Sequence, residues 1–91
     1  MPSYLVTVDV QLEVEPSPRH LELLQSAIRR DAAGSYVLEA RLMIMTLLLS
    51  AESSGEVEGL ARLVAVRALG DAGYTADAAL VVNVDSRERA E

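Results

Sequence analysis

Two residues near the start of the chain could take part in proton transfer. His20, the single histidine, has an imidazole that could serve as an acid–base group. Pro2 follows Met1, and removal of Met1 would expose a secondary amine able to abstract and return a proton. His20 falls at the third position of a predicted helix, so we expect it to be a solvent-facing residue with no catalytic role.

The first residues also resemble the opening of a known enzyme family. The segment "PSYLVTV", followed by a predicted helix, is similar to the N-terminus of the tautomerases, whose N-terminal proline is the catalytic base. The resemblance implies that Pro2 is the base and that an arginine binds a substrate carboxylate. A Met-Pro start is common and weakly specific, and Met1 would block the amine if the native chain keeps it. We therefore expect no Pro2-based catalysis and keep an enzyme as the alternative hypothesis.

A second group of polar residues lies at the two ends of the chain. Asp9 belongs to one alternating segment, and Asn83 and Asp85 to another. If the two segments adjoin in a sheet, these side chains could line a polar pocket or bind a hard cation through oxygen. A solvated sheet face is the simpler interpretation. With one histidine and no cysteine, we predict no metal site and no cofactor.

Composition narrows the class of protein. At 91 residues and 51% hydrophobic, the sequence predicts a single folded domain over residues 1–86, followed by a charged tail over 87–91. The net charge is −6, and the eight arginines are spread along the chain, so we expect no nucleic-acid partner. The start of the chain lacks a basic region, which predicts no signal peptide and a cytoplasmic protein.

Hydrophobic periodicity identifies four elements. Residues 4–14 alternate as a strand, and residues 18–32 have helical spacing with Ser17 as N-cap and Gly34 as the stop. A second helix spans residues 53–74, where Ser53 and Glu56 have capping-box spacing and Gly73 ends the helix. In the last strand we expect one alternating set to face the core and the other to face outward. The inward set is Ala78, Leu80, Val82 and Val84.

The central segment "ARLMIMTLLLSA", residues 40–51, is ambiguous between a strand and a buried helix. It is too short for a membrane span, which needs about 20 apolar residues, and we predict no membrane partner. A helix would leave only two strands, which rarely form a stable sheet. We therefore predict a short strand at residues 35–38, a tight turn near Glu39–Ala40 and a long strand over 41–50. The buried helix remains the alternative because the turn has none of the usual turn residues.

The resulting order is strand–helix–strand–strand–helix–strand. It resembles the ferredoxin-like α+β sandwich, in which two helices cover one face of a four-stranded antiparallel sheet. The resemblance is one of element order and implies no iron–sulfur cluster. Because this architecture serves enzymes, regulators and assembly modules, it does not fix function.

Two surfaces that we do not expect to pack against the core are apolar. Both residue sets of the 41–50 strand are apolar, which is typical of a strand covered on both sides, and the sequence leaves open which set faces the core. On the second helix, Leu63 and Val66 lie opposite the core stripe. We expect both surfaces to contact a second copy or another protein. The candidate interface residues are Leu42, Ile44, Leu48, Leu63 and Val66.

These patterns favour a small soluble interaction module, homodimeric or larger, with a structural or regulatory role. The alternatives are a small dimeric α+β barrel or tautomerase-like enzyme, and a small-ligand sensor whose pocket forms between subunits. The sequence names no ligand, partner or process.

Overall fold

Four strands and two helices follow one another along the chain in the order that the sequence predicts. The computed structural model describes residues 2–31, 33–75 and 77–89. The elements are β1 (Ser3–Leu12), α1 (Pro18–Asp31), β2 (Ala33–Glu39), β3 (Leu42–Ser50), α2 (Ser54–Asp71) and β4 (Ala79–Glu88). The strands form an antiparallel sheet in the order β2-β3-β1-β4. This order and connectivity give a ferredoxin-like α+β fold.

The ambiguous central segment is a strand pair, so the strand interpretation is confirmed and the buried helix is wrong. Glu39 pairs with Leu42, which leaves Ala40 and Arg41 as a two-residue loop. Ala40 has a φ of 52°. Tight hairpin turns require such positive φ values, usually supplied by glycine or asparagine. Alanine can adopt this conformation at a cost, which explains why the turn has no sequence signal.

The core lies between the helices and one face of the sheet, and it is almost entirely aliphatic. The odd-numbered residues of β3 face this core, which settles the choice that the sequence leaves open. The fully buried strand residues include Val6, Val8, Val10, Leu12, Met43, Met45 and Leu47. Across from them lie buried side chains of both helices, mainly Leu24, Ala27, Ile28, Val57, Ala61, Ala65, Ala68 and Leu69.

Capping residues begin and end the helices largely as predicted. Ser17 Oγ accepts the backbone N–H of His20 at 3.3 Å, and Ser53 Oγ accepts that of Glu56 at 3.2 Å. Gly73, with a φ of 98°, follows the end of α2. There the N–H of Tyr74 donates to the carbonyl of Leu69 in a Schellman arrangement. The predicted second helix is therefore confirmed, with α2 ending at Asp71.

The role predicted for Gly34 is wrong. The residue does not end α1 but lies inside β2, opposite Leu47. A Cβ on Gly34 would come within 2.7 Å of the Thr46 carbonyl oxygen. Glycine is needed there because β3 approaches too closely for a side chain.

The inward set predicted for the last strand is also partly wrong. Asp9 pairs with Asn83 but Val10 pairs with Val81, so Val82 is an extra residue in a β-bulge. The bulge shifts the alternation: Val81 packs against the core, while Leu80 and Val82 are 56% and 58% exposed. Val84, beyond the bulge, packs inward as predicted.

The first and last strands also differ in length from the predicted elements. The predicted first strand reaches Val14, but β1 ends at Leu12, beside the first residues of the two neighbouring strands, β3 and β4. β4 continues through Glu88, two residues into the predicted tail, and residues 90–91 lie outside the described part of the chain.

Candidate functional site

The sheet surface opposite the helices, which we call the open face, carries side chains from all four strands. Directly paired residues in an antiparallel ladder point to the same face, so the strand register assigns its members. They are Ser35, Val37 and Glu39 from β2; Leu42, Ile44, Thr46 and Leu48 from β3; Leu5, Thr7, Asp9 and Gln11 from β1; and Leu80, Asn83, Asp85 and Arg87 from β4.

An apolar band follows β3 across the open face. Ile44 pairs with Val37 on one side, and Leu48 pairs with Leu5 on the other. Val37 is 67% exposed, Leu5 40% and Leu42 36%. The three residues predicted for β3 as an interface thus lie on the surface that the helices leave uncovered. β3 therefore places apolar side chains on both of its sides, one set in the core and one facing outward.

A polar row crosses the apolar band near its middle. Thr46 pairs with Thr7, which pairs with Asp85 on β4. Together with Leu5 and Arg87, these residues line a shallow hollow of about 260 Å³. Hydroxyls, a carboxylate and a guanidinium at one position could hydrogen-bond to a polar ligand or to polar groups of a partner.

The register brings together the three polar residues that the sequence singles out. Asp9 pairs directly with Asn83, and Asp85 lies two residues further along β4. Asn83 and Asp85 are exposed, and Asp9 is half-buried. Within residues 2–31, 33–75 and 77–89, there is no group of three or more His, Asp or Glu side chains arranged to hold a metal ion.

Pro2 directly precedes β1, a central strand of the sheet. Its carbonyl accepts the N–H of Ala51 at 3.2 Å, which fixes the backbone there. Nearby, the N–H of Arg89 donates to the Ser3 carbonyl, so an arginine backbone lies beside this strand end. Pro2 does not line the hollow on the open face. The state of its amine depends on Met1, which lies outside the described residues.

His20 is half-buried, and its ring packs against that of Tyr74. The two ring centroids are 5.0 Å apart and the planes are tilted by 39°. The contact joins the start of α1 to the segment after α2. The Tyr74 hydroxyl is buried without a hydrogen-bond partner among the described residues, and burial raises the pKa of this phenol. The arrangement is that of an aromatic packing contact.

Two apolar residues of α2, Leu63 and Val66, are exposed, as the sequence predicts. Leu63 is 64% exposed and Val66 is 54% exposed. A Cβ added at Gly59 or Gly70 would meet nothing within 4 Å, so the helix surface is uncovered at these two residues.

A groove beside this surface was not predicted from the sequence. It lies between α2 and β4 and has a volume of about 470 Å³. Val66, Leu69, Tyr74, Leu80 and Val81 form most of its apolar wall, and Arg62 also lines it. The sequence does not predict the groove because simple alternation places Leu80 in the core. The bulge at Val82 changes this alternation, and no glycine or other typical bulge residue indicates it in the sequence.

Neither helix in the described part of the chain is long and apolar enough to cross a membrane. Comparisons of the chain with family models, curated proteins and solved structures find no match. The open face and the surface around α2 are therefore the features from which a function is to be inferred.

Proposed function

We propose that this protein is a homo-oligomeric interaction module, with a structural or regulatory role, whose open face packs against the open face of a second copy. The observation that carries the proposal is the two-sided apolar character of β3. Met43, Met45 and Leu47 are buried under the helices, while Leu42, Ile44 and Leu48 point the other way. An antiparallel sheet with one solvated face normally carries polar residues on that face.

The size of the open face is sufficient for a specific contact. Four strands spaced about 4.8 Å apart, with lengths near 28 Å, present roughly 500 Å² per copy, or about 1,000 Å² for a pair. That value is at the lower bound for a biological interface. Full burial of one Leu or Val side chain is worth about 1.5–3 kcal/mol, so several partly exposed ones can offset the cost of association.

Symmetry makes a second copy a suitable partner. In a two-fold contact the same patch serves both subunits, so an apolar band meets an apolar band. The polar row that includes Thr7, Thr46 and Asp85 would then define the orientation, because a misaligned pairing would bury these groups without partners. Leu63 and Val66 offer a second, smaller apolar surface for assembly beyond the dimer.

The experiment compares two charge substitutions at sites of similar exposure. Leu42, on the open face, is 36% exposed, and Leu23, on α1, is 40% exposed. Leu42→Asp should convert the protein to a monomer with an unchanged circular dichroism spectrum, whereas Leu23→Asp should leave the oligomer intact. If both variants keep the wild-type mass in light scattering, the open face is not the interface.

A second candidate function is a small-ligand sensor with a pocket between subunits. The hollow lined by Thr7, Thr46, Asp85 and Arg87 favours it, because a partner sheet would cover the hollow and enclose it. Native mass spectrometry of the oligomer would show a bound small molecule that is lost in the Leu42→Asp monomer. If the oligomer has only the mass of its protein chains and binds no polar small molecule, the sensor is excluded and the interaction module remains the proposed function.

A further inference from the structure

The groove between α2 and β4 has the size and wall chemistry of a small-ligand site. Its volume of about 470 Å³ falls within the range of roughly 300–1,000 Å³ typical of ligand pockets. Val66 on α2 and Leu80 on β4 both line it and remain 54% and 56% exposed. Exposed apolar side chains that line a groove release free energy when a hydrocarbon covers them.

Local backbone features of the chain keep the groove open. Gly70 lines it without a side chain, and an added Cβ would meet nothing within 4 Å. The turn at Gly73, with a φ of 98°, directs the chain away from α2, and Tyr74 and Thr75 after it also line the groove. The groove is thus part of the fold between α2 and the edge strand β4, and it is separate from the apolar band on β3.

The charge of the lining selects the kind of ligand. Arg62 is exposed and lines the groove, and among the residues that the structure describes no acidic one lines it. Glu58, four residues earlier on α2, accepts a hydrogen bond from the Ser86 hydroxyl at 2.7 Å and does not line the groove. In a protein with a net charge of −6, an apolar groove whose one charged lining residue in the described part of the chain is cationic favours an anion.

We infer that this groove binds a small monocarboxylate with an apolar body, such as a medium-chain fatty acid. The carboxylate pairs with the Arg62 guanidinium, whose planar donors match a carboxylate in bidentate geometry. The hydrocarbon lies against Val66, Leu69 and Leu80. This inference goes beyond the proposed oligomerisation and does not depend on it, because Leu42, Ile44 and Leu48, which carry the proposed contact, do not line the groove.

The test is a comparison of octanoate with octanol, which share a hydrocarbon chain and differ in charge. Both are titrated into the isotopically labelled full chain by NMR, and affinities are read from the amide shifts of Val66, Gly70 and Val81. We expect octanoate to bind at least about tenfold more tightly than octanol, as a charged hydrogen bond implies. Arg62→Gln should abolish this difference, and Gly70→Leu should abolish binding of both.

Arg19→Gln, which removes an exposed arginine from α1, is the matched control and should change neither affinity. The same titration on the Leu42→Asp variant separates this inference from the proposed oligomer, since octanoate should bind the monomer equally well. Failure of octanoate to shift these amides, or a preference for octanoate that survives Arg62→Gln, would overturn the inference.

Discussion

Gly34 on β2 lies opposite Leu47 on β3 so closely that a Cβ on Gly34 would come within 2.8 Å of the Leu47 Cδ2 atom. Leu47 is fully buried. The same Cβ would come within 2.7 Å of the Thr46 carbonyl oxygen. The edge strand therefore packs onto β3 only because residue 34 has no side chain.

The first prediction follows from this contact. Gly34→Ala should lower the free energy of unfolding by about 1–3 kcal/mol, because backbone and core atoms would have to move. Gly59→Ala makes the same chemical change on the open surface of α2 and should raise stability by about 0.5–1 kcal/mol. Urea denaturation of both variants measures the difference in the free energy of unfolding. If this free energy is unchanged in Gly34→Ala, β2 and β3 can move apart at no cost, and the close contact is not needed.

A second prediction concerns the turn at Ala40, whose φ of 52° is unfavourable for a residue with a side chain. Ala40→Gly should raise the free energy of unfolding by about 1 kcal/mol, since glycine accepts positive φ without strain. Ala40→Val, which adds a β-branched side chain at the same position, should lower it. Thermal denaturation provides the measurement, and the reverse order of stability would contradict a positive φ at this position.

The third prediction rests on the buried Tyr74 hydroxyl. Tyr74→Phe removes a hydroxyl that has no partner among the described residues, so stability at neutral pH should rise by about 1 kcal/mol. A loss of stability on this substitution would mean that the hydroxyl makes a stabilising hydrogen bond.

The same residue gives a pH dependence. Burial raises the pKa of Tyr74 in the folded protein above its ordinary value of 10.0. The unfolded chain therefore loses this proton first, and stability falls as the pH rises from about 10 toward the folded-state pKa. Tyr74→Phe should lose less stability than the wild type over this range, as measured by urea denaturation at several pH values.

Much of the fold could be predicted from the sequence because its main signals are periodic. The alternation in β1, the caps at Ser17 and Ser53, and the need for four strands all point to the observed architecture. What escaped prediction depends on contacts between distant segments. The tight approach at Gly34, the bulge at Val82 and the ring contact of His20 with Tyr74 have no local signature. The groove between α2 and β4 depends on the bulge, which leaves Leu80 outside the core, so it could not be predicted either.

A fourth prediction addresses the apolar surface of α2. Leu63→Glu should leave the dimer intact, because the open face lies on the other side of the sheet, and should remove only association beyond the dimer at high protein concentration. Sedimentation velocity over a range of concentrations distinguishes the two steps. Dissociation of Leu63→Glu to a monomer would show that α2, and not the open face, forms the primary contact.

The solution mass of the wild-type protein tests the central claim most directly. If the apolar band of Leu42, Ile44 and Leu48 is covered by a second copy, light scattering at micromolar concentration should give at least twice the 9.8 kDa chain mass. A folded protein that keeps a mass of 9.8 kDa at every concentration would contradict the account, because its open face would then be an exposed apolar surface that no copy of the chain covers.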